Sequence, residues 1–475
     1  MPNGEFRTGS DIAVDVEPFV AFYRHGWHSW SPTGWVDPLE PVSPIADEGR
    51  RLGHDDPLHA FDTTVGGSGV GVVEHIDGSV TLVGALEPGG RVSPVGSTIA
   101  GSTEGDPIDW VVLSGDEQAV WADYASLLAS RFGRRSTDKV RVWCSWYSFF
   151  EDVSESGMGD ALSGLDGLPF NVVQVDDGWE SAIGDWQANG KFPSGMANMA
   201  DNIRSEGYVP GLWLAPLIAQ STSRLAEERS DLLLRNDMGD PVIAGINWGS
   251  PYFALDPTAE ATLVFLTDLI AEVRQWGYDY LKLDFLYAGA FPGVHANPLP
   301  REVAYRMACQ AIRDAAGEDC YLLACGAPIL ASLGIFDGIR IGPDVADVWE
   351  VPELVELGDA SGRGAKNALA TSVNRLWLKD VIDVDPDVVY LRDDTDLDDR
   401  TLAALKDLAT VAQFVGVSDQ PDVLTASDRD ELKDLLLADP QIRNRGRFLW
   451  DIDDRTVDFS WVLSDRSPVR SVAEG

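Results

Sequence analysis

The pattern of apolar and polar positions divides the chain into two main parts. Between about residue 5 and residue 125, short alternating runs rich in Gly, Val, Ser and Pro recur, for example at 71–75 and 79–84. Alternation with a period of two, interrupted by turn residues, is typical of antiparallel strands. Residues 1–130 are therefore predicted to form an N-terminal β-sandwich-like domain.

From about residue 138, short apolar segments alternate with longer helical patterns such as Ala259–Trp276 and Arg301–Ala316. This alternation predicts βαβ units and a parallel sheet, and about eight repeats favour a (β/α)8 TIM barrel over residues 131–425. An open doubly wound sheet is the alternative, and the lack of a Gly-x-Gly-x-x-Gly segment weakens it. The predicted strands are Val140–Ser148, Phe170–Trp179, Tyr208–Pro216, Tyr278–Phe285, Cys320–Gly326, Gly338–Val345, Thr371–Leu378 and Val411–Val417.

The tail, residues 426–475, begins with an acidic helical stretch and continues into one or two predicted strands within Arg447–Leu463. It is too short for a full additional domain and is predicted to be a reduced C-terminal β region. The predicted fold is thus α/β: a TIM barrel with an N-terminal antiparallel β-sandwich and a short C-terminal β element.

The charge balance is strongly acidic, with 77 acidic against 36 basic residues and a net charge of −41. Such a surface repels nucleic acid and anionic membranes, so neither is an expected partner. At about 1 M salt the Debye length is about 3 Å, and the self-repulsion of the chain is then screened. The composition predicts a halophilic protein that loses stability in dilute buffer.

Cysteine usage predicts a reducing compartment, and the N-terminal pattern agrees with it. Cys144, Cys309, Cys320 and Cys325 have no metal-ligand spacing, and the N-terminus shows no signal-peptide pattern. No segment approaches the roughly 20 apolar residues of a membrane span. A cytoplasmic location is expected.

Polar side chains fall repeatedly where the predicted strands end. Lys282 and Asp284 share one face of a strand, because side chains alternate with a period of two. The carboxyl ends of barrel strands carry the catalytic residues of this fold. Taken singly, each feature has a structural interpretation: an ion pair for Lys282 and Asp284, a capped turn for Asp-Asp-Gly, and core packing for Trp213 and Cys325.

Carboxylates combined with aromatic residues and a few cations are typical of glycoside hydrolysis, in which one carboxylate attacks or activates water and a second protonates the leaving oxygen. Metal-dependent hydrolysis is the rival interpretation. None of the six His residues lies at a predicted strand end of the barrel, and no His-Glu-x-x-His segment occurs. No metal and no other cofactor is therefore expected.

Several motifs in order resemble glycoside hydrolase family 36, the α-galactosidases of the melibiase clan, over roughly residues 20 to 420. They are Gly26-Trp-His-Ser-Trp-Ser31, Cys144-Ser-Trp-Tyr147, Asp176-Asp-Gly-Trp179, Gly211-Leu-Trp-Leu-Ala-Pro216, Tyr280-Leu-Lys-Leu-Asp284, Cys325-Gly-Ala-Pro328, Arg340-Ile-Gly-Pro-Asp344, Asn374-Arg-Leu-Trp377 and Asp385-Pro-Asp387. The resemblance implies a retaining, exo-acting α-galactosidase that hydrolyses terminal α-galactosyl residues from oligosaccharides.

The same resemblance implies residue roles. Asp284 is expected to be the nucleophile that forms the glycosyl-enzyme, and Asp344 the acid/base. Lys282 is expected to contact sugar hydroxyls and to hold Asp284 ionised. A retaining enzyme would place the two catalytic carboxyl groups about 5 to 5.5 Å apart.

Further residues are expected to bind the sugar. Asp176 and Asp177 would bind its 4- and 6-hydroxyls, and Arg340 would lie near the 2-hydroxyl. The residues expected to line the pocket are Trp146, Tyr147, Trp213 and Cys325, with Trp30, or instead Trp27, closing it from the N-terminal domain.

The expected partner is a small carbohydrate substrate, and a homo-oligomer is possible because many members of the family are oligomers. Three other functions stay open. The first is an α-galactosyl transferase of the raffinose-synthase kind, and the second is another retaining α-glycosidase such as an α-N-acetylgalactosaminidase. The third is a sugar-binding protein without turnover.

Overall fold

The computed structural model describes residues 4–42, 44–135 and 139–463. In the N-terminal part, two antiparallel sheets pack face to face, with the strand orders β1-β10-β7-β6-β3-β4 and β2-β9-β8-β5. The elements are β1 (Glu5–Gly9), β2 (Asp11–Asp15), β3 (Phe19–Arg24), β4 (Gly34–Val36), α1 (Glu48–Leu52), β5 (Gly67–Ser68), β6 (Val70–His75), β7 (Val80–Ala85), β8 (Gly90–Val95), β9 (Thr98–Thr103), β10 (Ile108–Gly115) and α2 (Glu117–Phe132). This arrangement is the predicted β-sandwich.

Strand β7 shows why the sandwich and the rest of the chain form a continuous body. All six of its residues are buried, because both faces of the strand are covered. Val83 packs into the sandwich core with Trp110, whereas Leu82 packs on the other face in the cluster that includes Tyr124 of α2. The Tyr124 hydroxyl donates to the Ala85 carbonyl at 2.9 Å, which satisfies its buried polar atom.

The central region is a parallel sheet with helices between its strands. The strands of this region, including five outside the parallel sheet, are β11 (Val140–Cys144), β12 (Val172–Val175), β13 (Glu180–Ala182), β14 (Asp185–Ala188), β15 (Val209–Leu214), β16 (Ile218–Gln220), β17 (Ile243–Asn247), β18 (Ser250–Ala254), β19 (Tyr280–Leu283), β20 (Tyr321–Ala324), β21 (Gly338–Arg340), β22 (Asp383–Asp385), β23 (Val388–Val389) and β24 (Phe414–Val417). The parallel order is β22-β21-β20-β19-β15-β12-β11-β24-β23. Strands β13 and β14 form a hairpin, and β16 to β18 form a small antiparallel sheet inserted between β15 and β19.

Helices connect these strands as the βαβ pattern requires. They are α3 (Trp146–Phe149), α4 (Glu155–Gly164), α5 (Met196–Ser205), α6 (Arg224–Glu228), α7 (Glu260–Trp276), α8 (Arg301–Ala316), α9 (Ile329–Ser332), α10 (Pro352–Glu356), α11 (Ala365–Val373) and α12 (Asp399–Ala412). The long helices predicted at Ala259–Trp276 and Arg301–Ala316 are confirmed. Gly277, at a φ of 101°, ends α7 with the left-handed residue that commonly stops a helix.

The nine parallel segments occupy eight barrel positions, because β22 and β23 belong to one interrupted strand. β22 pairs with β21 on one side, and β23 pairs with β24 on the other. Pro386 separates them, and a proline cannot donate a hydrogen bond to a neighbouring strand. Asp387 follows with a φ of 78°, so the chain turns sharply there.

The predicted seventh strand, Thr371–Leu378, is wrong. This segment lies in α11 and in a 3-10 turn at Leu376–Asp380, and the seventh position is taken by β22 and β23. The buried residues Ala365, Leu369 and Val373 recur every four positions, which places them on one face of a helix. A short apolar run does not by itself distinguish a buried helix from a buried strand.

After β24 the chain forms α13 (Ala426–Leu437) and a three-stranded antiparallel sheet of β25 (Ile442–Gly446), β26 (Leu449–Ile452) and β27 (Arg455–Asp458). The one or two strands predicted within Arg447–Leu463 are confirmed as β26 and β27, and β25 precedes that range. Within the described ranges, no helix is long and apolar enough to cross a membrane.

Candidate active site

A cavity of about 650 Å³ opens at the carboxyl ends of the barrel strands. Its walls come from three regions: the N-terminal domain, the inserted β17–β18 hairpin and the loops after the barrel strands. The lining residues with polar or aromatic side chains include Trp30, Arg50, Tyr252, Phe285, Tyr287 and Asp344. The cavity therefore lies on the face where TIM barrels carry their catalytic groups.

Asp284, at the end of β19, is buried and held by two donors. The indole N–H of Trp213 donates to its Oδ2 at 3.1 Å, and the backbone N–H of Phe285 donates to its Oδ1 at 2.7 Å. Phe285 has a φ of 52°, an unfavourable conformation for a bulky residue that is typical of functional sites. Each oxygen of the Asp284 carboxyl group thus accepts one hydrogen bond.

Lys282 faces a different carboxylate from the one expected. Its Nζ lies 2.9 Å from Asp176 Oδ2, at the end of neighbouring β12, and no ion pair joins it to Asp284 within the described part of the chain. Cys144 and Gln174 also donate to Asp176 Oδ2. The structural interpretation of an ion pair between Lys282 and Asp284 is therefore wrong, and the donors to Asp284 come from Trp213 and the backbone.

Asp177 lies in a second, distinct environment. Its Oδ2 accepts a hydrogen bond from the indole N–H of Trp248 at 2.8 Å, and its carboxyl group is in hydrogen-bond contact with Glu180. Burial raises the pKa of Asp177 to about 9, and the charge of Glu180 adds to that rise. Neither Glu180 nor Trp248 is among the sequence-predicted site residues.

Glu180 and Trp248, which the sequence analysis missed, differ in how far the sequence indicates their position. Glu180 follows Asp177 by three positions, but that spacing alone assigns no contact. Trp248 lies in the turn Asn247-Trp248-Gly249, which is recognisable as a turn between two short strands. Its approach to Asp177 depends on how the inserted hairpin folds over the barrel, and this information is absent from the local pattern.

Asp344 follows β21 and faces the cavity, with 37% of its side chain exposed. Arg340 Nη1 lies 3.3 Å from its Oδ1, while the same guanidinium binds Asp385 at 2.8 Å and Asp387 at 3.1 Å. The hydroxyl of Tyr147 donates to Asp387. Arg340 is thus divided among three carboxylates, and Asp344 receives its weakest contact.

The environment of Asp344 favours its protonated form. Desolvation is the largest cause and the charge of Asp387 the second, and together they raise the pKa of Asp344 to about 7 despite the opposing charges of Arg340 and Lys282. Asp284 contributes a smaller rise. This direction agrees with the expectation for a group that has to donate a proton near neutral pH.

Trp30 reaches the cavity from the N-terminal domain, whereas Trp27 does not. The Trp30 ring packs edge-on against Phe285 at 5.3 Å and Tyr287 at 5.9 Å. Trp27 is fully buried and donates its indole N–H to Glu302 at 2.7 Å. The structure therefore selects Trp30 of the two candidates.

The loop that carries Trp30 is fixed to the barrel by a buried arginine. Arg375 donates to the carbonyl oxygen of His28 at 2.7 Å and to that of Ser29 at 3.1 Å, and it also donates to Ile341 of the barrel at 2.8 Å. Since these bonds join the two domains, the position of Trp30 over the cavity is set by the barrel itself.

The remaining predicted residues are placed as follows. Cys325 is buried, and burial raises the pKa of its thiol. The nearby charge of Asp284 raises that pKa further. Gly326, at a φ of 52°, leaves room for both Trp30 and Asp284, which would lie 3.3 and 3.4 Å from a Cβ at this position. Trp146 packs its ring against Phe150 at 5.3 Å and makes no hydrogen bond to the site carboxylates in the described chain.

No group of three or more His, Cys, Asp or Glu side chains in the described residues could hold a metal ion. The carboxylates of the site are instead bound by arginine, lysine and tryptophan donors. The arrangement thus offers Asp284 held by two N–H donors, two carboxyl groups with raised pKa values, Asp344 and Asp177, and aromatic walls.

Comparison with known proteins gives close and distant relatives. An α-galactosidase from Thermus thermophilus, TtGalA, solved with p-nitrophenyl α-D-galactopyranoside, is 41% identical; the alignment covers 97% of this chain and 95% of that one, with a TM-score of 0.93. The GH36 α-galactosidase AgaA of Geobacillus stearothermophilus shares the fold, with a TM-score of 0.62, 16% identity and coverage of 90% and 61%. No protein-family model matches the sequence.

Among curated proteins, the α-galactosidase Mel36A of Lactobacillus acidophilus is 29% identical over 122 residues, which are 23% of this chain and 17% of that protein. The match thus spans about a sixth of the length of that relative. The barrel with carboxylates at its strand ends favours a glycoside hydrolase. The full-length likeness to TtGalA is more specific, and the chain belongs to the α-galactosidase family.

Proposed function

We propose that this protein is a retaining, exo-acting α-galactosidase of glycoside hydrolase family 36. Asp284 is the nucleophile that attacks the anomeric carbon, and Asp344 is the acid/base that protonates the leaving oxygen and then activates water. The observation that carries the proposal is the contrast between two carboxyl groups at the carboxyl ends of the barrel strands. Asp284, next to the cavity-lining Phe285, accepts two hydrogen bonds, and Asp344, which lines the cavity, has its pKa raised to about 7.

The substrate class follows from the relatives and from the size of the cavity. TtGalA is known in complexes with p-nitrophenyl α-D-galactopyranoside and with stachyose. A cavity of about 650 Å³ leaves room beyond one sugar ring, so an oligosaccharide leaving group fits. We assign terminal α-galactosyl residues of such oligosaccharides as the substrate.

The sugar itself is bound by charged groups at the ends of three strands, β12, β19 and β21. Asp176 and Asp177 accept hydrogen bonds from the 4- and 6-hydroxyls, and Lys282, which already contacts Asp176, donates to the same side. Arg340 lies near the 2-hydroxyl, and Trp30 covers the ring from the N-terminal domain. Trp213, Tyr147, Cys325 and Trp146 complete or border the pocket.

The test uses azide with two single variants, Asp284→Ala and Asp344→Ala, on an aryl α-galactoside in about 2 M salt. Both lose turnover, because each removes one half of the double displacement. In Asp284→Ala, azide replaces the nucleophile directly and yields β-galactosyl azide. In Asp344→Ala, azide intercepts the glycosyl-enzyme and yields α-galactosyl azide.

The two azide anomers, identified by NMR, assign the roles independently of rate. The same anomer from both variants would overturn the retaining assignment. Wild-type activity on another α-glycoside but not on a galactoside would overturn the sugar assignment. Transfer to an added sugar that exceeds hydrolysis would favour the transferase alternative.

A further inference from the structure

The two neighbouring carboxyl groups that end β12 differ in how their charge is compensated. Asp176 has an ammonium group 2.9 Å away, that of Lys282, and two further side-chain donors. Asp177 is equally buried, yet no Lys or Arg in the described ranges forms an ion pair with it or with Glu180. A buried charge without such compensation is unfavourable, so the ionisation of this pair needs an explanation.

The backbone turn after Asp177 brings Glu180 back against it. Gly178 has a φ of 111°, and a Cβ there would lie 2.6 Å from the carbonyl oxygen of Glu151, so only glycine fits. The N–H of Gly178 donates to Glu180 Oε2 at 3.3 Å. The turn thus holds the Glu180 carboxyl group at the backbone N–H that follows Asp177. The two carboxyl groups are in hydrogen-bond contact.

The donors around Asp177 leave one of its oxygen atoms without a partner. Oδ2 accepts from the indole N–H of Trp248, but no N–H or O–H group of the described residues reaches the buried Oδ1. An unpartnered carboxylate oxygen beside a second carboxylate is doubly unfavourable, through lost solvation and through repulsion. A single proton shared between the two groups removes both problems, as it does in other buried carboxyl pairs.

We propose that Asp177 is a neutral carboxylic acid that donates its proton to Glu180, and that Glu180 and Trp248 are the positioning residues that fix this acid for the sugar. The role toward the sugar rests on the proposed function, whereas the shared proton does not. Glu180 accepts the hydrogen bond that keeps the proton on Asp177. Trp248, from the inserted hairpin, fixes the orientation of the Asp177 carboxyl plane.

The charged groups around the pair agree with one retained proton. Burial and Glu180 raise the pKa of Asp177 to about 9, and Asp176 adds a smaller rise. Burial also raises the pKa of Glu180, while Lys191 opposes that rise without forming an ion pair. Because the raised pKa belongs to an acid, the proton is held below about pH 9 and lost as the pH rises through that value.

The first experiment detects the proton without using activity. Infrared spectra at pH 8 are compared between the wild type and the variants Glu180→Gln and Asp177→Asn, each shown to be folded by circular dichroism. At pH 8, Asp344 is mostly ionised. The wild type shows a protonated-carboxyl band that both variants lack, since an amide donor replaces the proton. Identical carboxyl bands in all three proteins would overturn the shared proton.

The second experiment measures the inhibition constant of galactose between pH 6 and pH 10. In the wild type, inhibition weakens above about pH 9, when the pair loses its proton and the two carboxylates repel each other. In Glu180→Gln this alkaline loss disappears, because the amide donates to Asp177 at every pH. An alkaline loss of the same size in both proteins would overturn the role of Glu180.

Trp248 is tested with a matched control. Trp248→Phe removes the hydrogen bond to Asp177 and weakens galactose inhibition by about three- to tenfold at every pH, with little change in kcat. Trp186→Phe removes an indole N–H that has no partner in the described chain and leaves inhibition unchanged. Equal behaviour of the two variants would overturn the role of Trp248.

These readouts separate the two proposals. A protonated-carboxyl band that depends on Glu180, in a protein that neither binds galactose nor cleaves α-galactosides, would overturn the proposed function and the role toward the sugar while leaving the shared proton established. Galactoside turnover without that band would support the proposed function and overturn the shared proton.

Discussion

The aspartates that follow β19 and β21, Asp284 and Asp344, have contrasting surroundings. Asp284 is buried and accepts hydrogen bonds from an indole and a backbone N–H, two neutral donors that are fixed in place. Asp344 faces the cavity beside Asp387 and shares Arg340 with two other carboxylates. The lesson is that strand position supplies the carboxyl groups, while the neighbours on other strands decide which one keeps a proton.

The largest expected effect is a difference in leaving-group dependence between Asp284→Asn and Asp344→Asn. The first should lose about 10⁴-fold or more on every α-galactoside, since no glycosyl-enzyme forms. The second should lose about 10³- to 10⁴-fold on an oligosaccharide but far less on a p-nitrophenyl galactoside, whose leaving group needs little protonation. Values of kcat/KM on both substrates check this, and equal losses in Asp344→Asn would contradict its role as acid.

A smaller effect is expected from Asp387→Asn. The negative charge of Asp387 raises the pKa of Asp344, so its removal lowers that pKa and moves the alkaline limb of kcat/KM to lower pH. Activity at pH 7 should then fall by up to about tenfold. The pH profile is the measurement.

Tyr147→Phe is the matched control for that experiment. It removes a hydrogen bond to Asp387 but leaves the carboxylate charge in place. Its alkaline limb should therefore stay near that of the wild type. If both variants moved the limb equally, the shift would come from altered packing rather than from the charge of Asp387.

The sequence predicted much of the barrel and of its site because both depend on local patterns. The short strands and the long helices α7 and α8 follow from apolar periodicity, and the polar residues at strand ends follow from the geometry of parallel sheets. The prediction of the seventh strand failed because that strand has only three residues before Pro386, in β22, and two after it, in β23. These are too few for a periodic signal.

Pairings between strands were the part that sequence could not supply. Lys282 lies two positions from Asp284, yet it contacts Asp176 on β12, and Trp213 of β15 contacts Asp284 in its place. Which partner a side chain chooses depends on barrel register and on rotamers. Trp248 was missed for a related reason, since an inserted hairpin has to fold over the barrel before it meets Asp177.

Salt is expected to have the smallest effect on the site. Its effect on the Tm tests the halophilic interpretation of the acidic composition. With a net charge of −41, self-repulsion should lower the Tm in dilute buffer, and screening should raise it by about 5 °C or more between 0.01 M and 1 M NaCl. Most of the rise should occur below about 0.3 M, where the Debye length changes most. The alkaline limb assigned to Asp344 should move little, because charges within the site are screened less than surface charges.

Thermal unfolding followed by circular dichroism checks the first part, with sucrose at matched osmolality as the control, because an excluded osmolyte stabilises without screening charge. A Tm that is independent of salt would contradict a destabilising surface charge and with it the halophilic interpretation. A Tm that rises equally in sucrose would assign the stabilisation to exclusion from the surface. If salt moved the limb of Asp344 as strongly as it moved the Tm, the proton at β21 would be set by the whole surface rather than by Asp387 and burial, and the contrast with Asp284 would lose its local cause.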